Sequence, residues 1–146
     1  MRAVLPKNIT VLVADDAAAV RALCRRLLQS EGYNVILAED GPSALAAVRL
    51  HAPDIVLLDV QMPEPGGLEV CRRLKADPST RLMPVILMTG ETELEDRIHG
   101  IEAGPDDILS KPFHASVLRA RVESLSRSKC SLDELDSAAV TLSSHS

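Results

Sequence analysis

Five short apolar runs, each followed by a stretch with helical spacing, leave this chain very few folds. The runs are Ile9–Ala14, Val35–Ala38, Ile55–Leu58, Val85–Met88 and Ile108–Leu109. A strand with one wet face alternates apolar and polar residues, whereas an unbroken apolar strand suits a parallel sheet covered on both faces. The intervening segments carry apolar residues three and four apart. They are Val20, Leu23, Leu27 and Leu28; Leu45, Val48 and Leu50; Val70, Cys71 and Leu74; Leu94, Ile98 and Ile101; and Val117, Leu118, Val122 and Leu125. Each set predicts a helix that lays one face on the sheet. Gly41-Pro42 marks a helix start, while Gly32 and Gly104 mark helix stops. Five such βα units predict an α/β domain with a doubly wound, five-stranded parallel sheet.

Composition narrows the function classes. A chain of 146 residues with 46% apolar and 25% charged residues has the size and content of one packed domain. Its net charge of −5 argues against a nucleic-acid-binding surface. Tyr33 and Phe113 are its only aromatic residues, too few for a base-stacking platform or a cation cage. Cys24, Cys71 and Cys130 form no CxxC pair, so they read as reduced thiols of a cytoplasmic protein, with Cys24 and Cys71 filling the core. No apolar run approaches the ~20 residues of a membrane helix, and the start lacks the build of a secretory leader. The expectation is a cytoplasmic domain with no membrane contact. His51, His99, His114 and His145 are scattered and make no metal pair, and Arg72, Arg73 and Lys75 read as a solvated helix face. From about residue 127 the chain turns serine-rich, and residues 127–146 read as a tail or linker, partly helical or disordered.

The chemistry concentrates where an open parallel sheet binds its ligands, at the carboxyl ends of the strands. The first run ends in Asp15-Asp16, the third in Asp59, the fourth in Thr89-Gly90 and the fifth in Lys111-Pro112. One acidic residue after a strand is ordinary helix capping. Three carboxylates at one edge are not, because like charges in close company cannot all stay ionised without a cation. Oxygen ligands of this kind suit Mg²⁺, with Mn²⁺ as a substitute. A carboxylate is also a nucleophile toward phosphorus, and phosphoryl transfer needs cations and hydrogen-bond donors around the phosphoryl oxygens.

The motifs Ala14-Asp15-Asp16, Leu58-Asp59-Val60-Gln61-Met62-Pro63, Met88-Thr89-Gly90 and Asp106-Asp107-Ile108-Leu109-Ser110-Lys111-Pro112-Phe113 keep one order and spacing. Together they resemble the receiver domain of bacterial two-component response regulators, over about residues 8 to 126. The resemblance implies a flavodoxin-like sheet of order 2-1-3-4-5 in a receiver domain spanning residues 1–126. It implies Asp59 as phospho-acceptor, served by a histidine kinase or histidine phosphotransfer protein. Asp15, Asp16, Asp59 and the backbone carbonyl of Gln61 are the implied Mg²⁺ ligands. Thr89 is the implied switch hydroxyl, Lys111 the cation paired with the phosphoryl group, and Gly90 the small residue beside the phosphoryl site; the Lys111-Pro112 bond is implied to be cis. Gln61 and Glu91 would flank the path of the water that ends the phosphorylated state. Such a protein is a switch, not an enzyme with a separate substrate. A homodimer through the fourth helix, fifth strand and fifth helix is the implied assembly.

Two departures stand out. The residue three before the lysine is usually aromatic and is Ile108 here, which removes the rotamer half of the usual switch. The loop after the acceptor has Gly66 where the family usually has Asp, which predicts a more flexible loop. A haloacid-dehalogenase-like phosphatase would need a second aspartate two residues after its nucleophile, where Gln61 stands, and a nucleophile after the first strand. A flavin carrier would need aromatics and a phosphate-cradling loop in place of Asp15-Asp16. The segment Ser131-Leu132-Asp133-Glu134-Leu135-Asp136-Ser137-Ala138 resembles linkers that precede HD-GYP-type cyclic-di-GMP phosphodiesterase domains. This makes a regulatory fragment of a larger regulator the alternative reading. No HD or GYP motif lies in the chain itself.

Overall fold

The computed structural model describes residues 8–90 and 102–127. It contains β1 (Thr10–Ala14), α1 (Ala18–Gln29), β2 (Asn34–Ala38), α2 (Gly41–His51), β3 (Ile55–Asp59), α3 (Gly67–Ala76), β4 (Val85–Gly90) and β5 (Asp107–Lys111), followed by a final helix at residues 115–127. The strands form a single sheet of order β2-β1-β3-β4-β5, and every pairing is parallel. The predicted strand order and class therefore hold. The fourth predicted helix (Leu94, Ile98 and Ile101) lies outside the described residues, as do Glu91, His99, Cys130, His145 and the predicted tail beyond Arg127.

Alternation along the buried strands divides the core into two layers. Leu12, Ala14, Val56, Leu58, Val85 and Leu87 pack with Ala44 and Val48 of α2 and with Val70, Cys71 and Leu74 of α3. Val11, Val13, Ile55, Leu57, Ile86 and Met88 pack with Cys24 and Leu28 of α1 and with Leu118 and Val122 of the final helix. Both faces are covered, which explains why the strands read as continuous apolar runs. The edge strands β2 and β5 are only half-buried.

Local signals set the joints. Gly32 closes α1 with φ at +92°. Its N–H bonds the Gln29 carbonyl and that of Tyr33 reaches the Leu28 carbonyl, the paired pattern of a glycine-terminated helix. Asp40 and Ser43 form a reciprocal capping box at the start of α2. Two predicted core residues are exposed instead, Leu50 at 78% and Leu23 at 38%. Leu50 stands two positions from buried Val48, and two residues turn a helix by about 200°, onto the opposite face. Leu23 falls on the flank of the stripe made by Val20, Cys24, Leu27 and Leu28.

The reading of a solvated face holds for exposed Arg72 and Arg73 but not for Lys75. Its ammonium donates to the Arg81 carbonyl at 3.2 Å, the Met83 carbonyl at 2.9 Å and Asp106 Oδ2 at 2.7 Å. Asp106 Oδ2 also accepts from the Val85 N–H at 2.8 Å. Lys75 thus ties α3 to the starts of β4 and β5, at the sheet edge remote from the acidic residues.

Candidate functional site

β1 has β2 on one side and β3 on the other, so the chain leaves it in opposite directions and opens a crevice at its carboxyl end. Asp15 and Asp16 follow β1 there, and Asp59 is the last residue of β3. The three carboxylates each place an oxygen within 4.8 Å of the other two. Asp15 is fully buried and Asp59 is 5% exposed, while Asp16 faces outward. Asp15 Oδ1 accepts from the Ala17 N–H at 2.9 Å, in the turn that leads into α1. Its own carbonyl accepts from Arg21 at 2.7 Å.

β4 and β5 supply the other side. Thr89 pairs in register with Ser110, and Gly90 with Lys111, so the hydroxyl and the ammonium share one end of the sheet. The Lys111 ammonium lies 2.6 Å from Asp15 Oδ2 and 3.4 Å from Asp59 Oδ1. Lys111-Pro112 is cis, as the resemblance implied, and so is Glu64-Pro65, which it did not. The Gln61 N–H donates to Asp59 Oδ1 at 3.3 Å. Thr89 Oγ1 is the buried side-chain polar atom without a hydrogen-bond partner among the described residues. A buried hydroxyl with nothing to bond is costly, which suits a group awaiting a ligand oxygen.

The electrostatics follow from this crowding. Burial, with the Asp15 charge beside it, pushes the Asp59 carboxyl up, against the opposing pull of Lys111 and the Gln61 N–H. Burial alone would lower the Lys111 ammonium, but the hydrogen bond to Asp15 and the Asp59 and Asp15 charges outweigh it, so it rises. Below the site, the Cys24 thiol is pushed up to about 11 by burial and by Asp15, and stays an inert core group. Three carboxylates faced by one ammonium leave an excess of negative charge. With an all-oxygen donor set, that arrangement fits a hard divalent cation such as Mg²⁺.

Asp15, Asp16, Asp59, Gln61, Thr89, Gly90 and Lys111 are therefore brought together, whereas Glu91 lies outside the described residues. Ile108 sits in β5 with its half-buried side chain against the layer that holds α2 and α3. The loop carrying Gly66 is packed against its surroundings. Val60 and Met62 are buried, and Gly41 and Gly67 approach its backbone closely. Sequence reasoning missed these two contacts, because close approach between segments far apart in the chain leaves no local pattern.

Comparison with known proteins agrees with this geometry. The family described as the response regulator receiver domain matches residues 11–123. The response regulator PleD of Caulobacter vibrioides is 49% identical over 125 residues, covering 86% of this chain and 28% of PleD. The response regulator MprA of Mycobacterium avium is 41% identical over 133 residues, covering 91% of this chain and 58% of MprA. The chain thus spans under two thirds of either relative. Among solved structures, the chemotaxis response regulator CheY4 of Vibrio cholerae superposes with a TM-score of 0.75 at 30% identity, covering 81% of this chain and 98% of CheY4. With its acidic crevice, its lysine and threonine on adjacent strand ends, and a family match over most of its length, the chain belongs to the response regulator receiver domains.

Proposed function

We propose that this receiver domain is a phosphorylation-controlled switch whose acceptor is Asp59 and whose donor is a histidine kinase or histidine phosphotransfer protein. The observation that carries this reading is the meeting of three carboxylates within 4.8 Å with the Lys111 ammonium. Asp15, Asp16, Asp59 and the Gln61 carbonyl would hold Mg²⁺, and Mn²⁺ in its place. The bound ion supplies positive charge against the phosphoryl oxygens. An Asp59 carboxylate oxygen attacks phosphorus, the bond from phosphorus to the donor imidazole breaks, and the imidazole leaves with the electron pair and takes up a proton. Lys111 turns from the carboxylates toward a phosphoryl oxygen, and the Thr89 hydroxyl donates to another, gaining the partner it lacks. Hydrolysis of the acyl phosphate resets the switch, and Gln61 and Glu91 orient or admit the water.

The domain catalyses only its own phosphorylation and dephosphorylation. β5 and the final helix would belong to the face where a second copy or an output partner reads the state. Among the described residues no helix is long and apolar enough to cross a membrane. The experiment is intact mass spectrometry with acetyl phosphate as donor. Mass rises by one phosphoryl group in Mg²⁺, does not rise in EDTA, and does not rise for Asp59→Asn. Full labelling of Asp59→Asn would overturn the assignment.

A further inference from the structure

We propose that Gly41, on α2, is a positioning residue for the acceptor site: it seats the loop from Val60 to Gly66 and so sets where Gln61 and Asp59 stand. The inference rests on the Mg²⁺-assisted reading above. Gly41 is buried at the first position of α2. A Cβ there would overlap the Pro65 carbonyl oxygen and stand 2.9 Å from Pro65 Cγ. The obstacle is main chain and a proline ring, so no rotamer change clears it. Backbone torsion is not the reason for a glycine here, since the positive-φ glycines among the described residues are Gly32 and Gly104. Helix propensity would itself favour alanine over glycine. What Gly41 provides is close approach.

The loop seated by this contact has little room to move. Val60 and Met62 are buried in the core layer beneath α2 and α3. At the far end, a Cβ on Gly67 would overlap the Asp59 carbonyl oxygen and stand 2.8 Å from the Asp59 carbonyl carbon. The Gly67 N–H also donates to the Val60 carbonyl at 3.3 Å. Displacement at Pro65 therefore has two outlets. One runs back to Gln61, whose N–H bonds Asp59 Oδ1. The other runs forward through Gly67 to the main chain of Asp59. In a close-packed interior neither is absorbed by empty space, and α2 is itself anchored in the core by Ala44 and Val48. Both outlets end on Asp59, one at its carboxylate and the other at its main chain.

The test is Gly41→Ala in the full chain, titrated with Mg²⁺ by calorimetry and with Mn²⁺ by its electron paramagnetic resonance signal. Supporting groups behind metal ligands typically change affinity by about 10–100-fold when altered. Weakening of about tenfold is expected, with shifted Gln61 and Asp59 amide resonances in the metal-free protein. Asp40→Ala loosens the same helix end without adding an atom at the Pro65 contact. It should lower the melting temperature and leave Mg²⁺ affinity within about twofold, a separation of displacement from mere destabilisation. If Gly41→Ala does not fold, Met62→Ala frees the loop from its other anchor and should weaken Mg²⁺ binding similarly. Wild-type affinity in Gly41→Ala, or in Met62→Ala where it stands in, overturns the inference and leaves the site reading intact. Equal weakening by Asp40→Ala also overturns it. No saturable Mg²⁺ binding in the wild type overturns the site reading and this inference together.

Discussion

The Lys111 ammonium donates to Asp15 Oδ2 at 2.6 Å, across 96 positions of sequence. Lys111 thus does part of what the proposed divalent cation would do, because it offsets the charge of a fully buried carboxylate.

Lys111→Met removes that offset. Leaving Asp15 and Asp59 without their ammonium should cost about 1–3 kcal/mol of stability in EDTA, the usual penalty for stranding a buried polar partner. With no competing positive charge, Mg²⁺ should bind more tightly and restore more stability than it does in the wild type. Denaturant melts in EDTA and in saturating Mg²⁺ measure both. An equal loss under the two conditions would show that Lys111 and the cation do not share this role.

Much of this arrangement is legible in the sequence because it is written locally. Each strand lies within about two residues of its apolar run, and Asp15, Asp59, Thr89 and Lys111 stand at the strand ends where an open sheet binds ligands. What stayed hidden is contact between distant segments. Nothing around Lys75 marks it as a three-way tie rather than one more surface charge, since its partners Arg81, Met83 and Asp106 enter only with the fold. The Gly41–Pro65 and Gly67–Asp59 approaches were invisible for the same reason. Leu50 misled because apolar character reports burial only when the helical angle agrees.

The Lys75 tie makes a prediction of the opposite kind from Lys111. Lys75→Met strands two carbonyls and a carboxylate, although Asp106 keeps its bond to the Val85 N–H. The Lys75 and Asp106 side chains are 17% and 37% exposed, so water compensates in part. A loss of about 1–2 kcal/mol is expected. Mg²⁺ affinity should not change, because the tie lies at the starts of β4 and β5 and the acidic residues at the other ends of the strands. A melt and a Mg²⁺ titration on the same variant decide it, and a change in affinity would mean that the two sheet edges are coupled.

Asp40 carries a pH signature. Hydrogen bonds from the Ser43 hydroxyl and N–H hold its carboxyl below the ordinary value of 3.8. A group lowered on folding contributes stability that is complete above the unfolded value and is lost as the pH falls through the folded one. The contribution should therefore be complete at neutral pH and fade as the pH falls below about 4. Asp40→Asn keeps a good helix cap but cannot titrate. It should match the wild type near pH 4 and lose less stability between there and pH 2. Parallel acid-limb denaturation curves for the two proteins would show that Asp40 takes no part in the pH dependence.

Ile108 bears on how the switch is read. It pairs in register with Leu87, and its half-buried side chain packs against the core layer under α2 and α3. With no polar tip, it cannot exchange an outward hydrogen-bonded state for an inward packed one. Any response of β5 to a phosphoryl group on Asp59 must then pass through packing and through Thr89, two strand positions along from Leu87 on β4. A ligand shifts an equilibrium only by its differential affinity for the two states, so removing one discriminating contact should shrink the shift. Ile108→Tyr should leave acetyl phosphate labelling of Asp59 unchanged and enlarge the phosphorylation-dependent resonance shifts of β5 and the final helix. Methyl and amide spectra before and after phosphorylation measure this. If Ile108→Tyr leaves those shifts at their wild-type size while Thr89 still responds, the β5 face is not the output surface of this receiver.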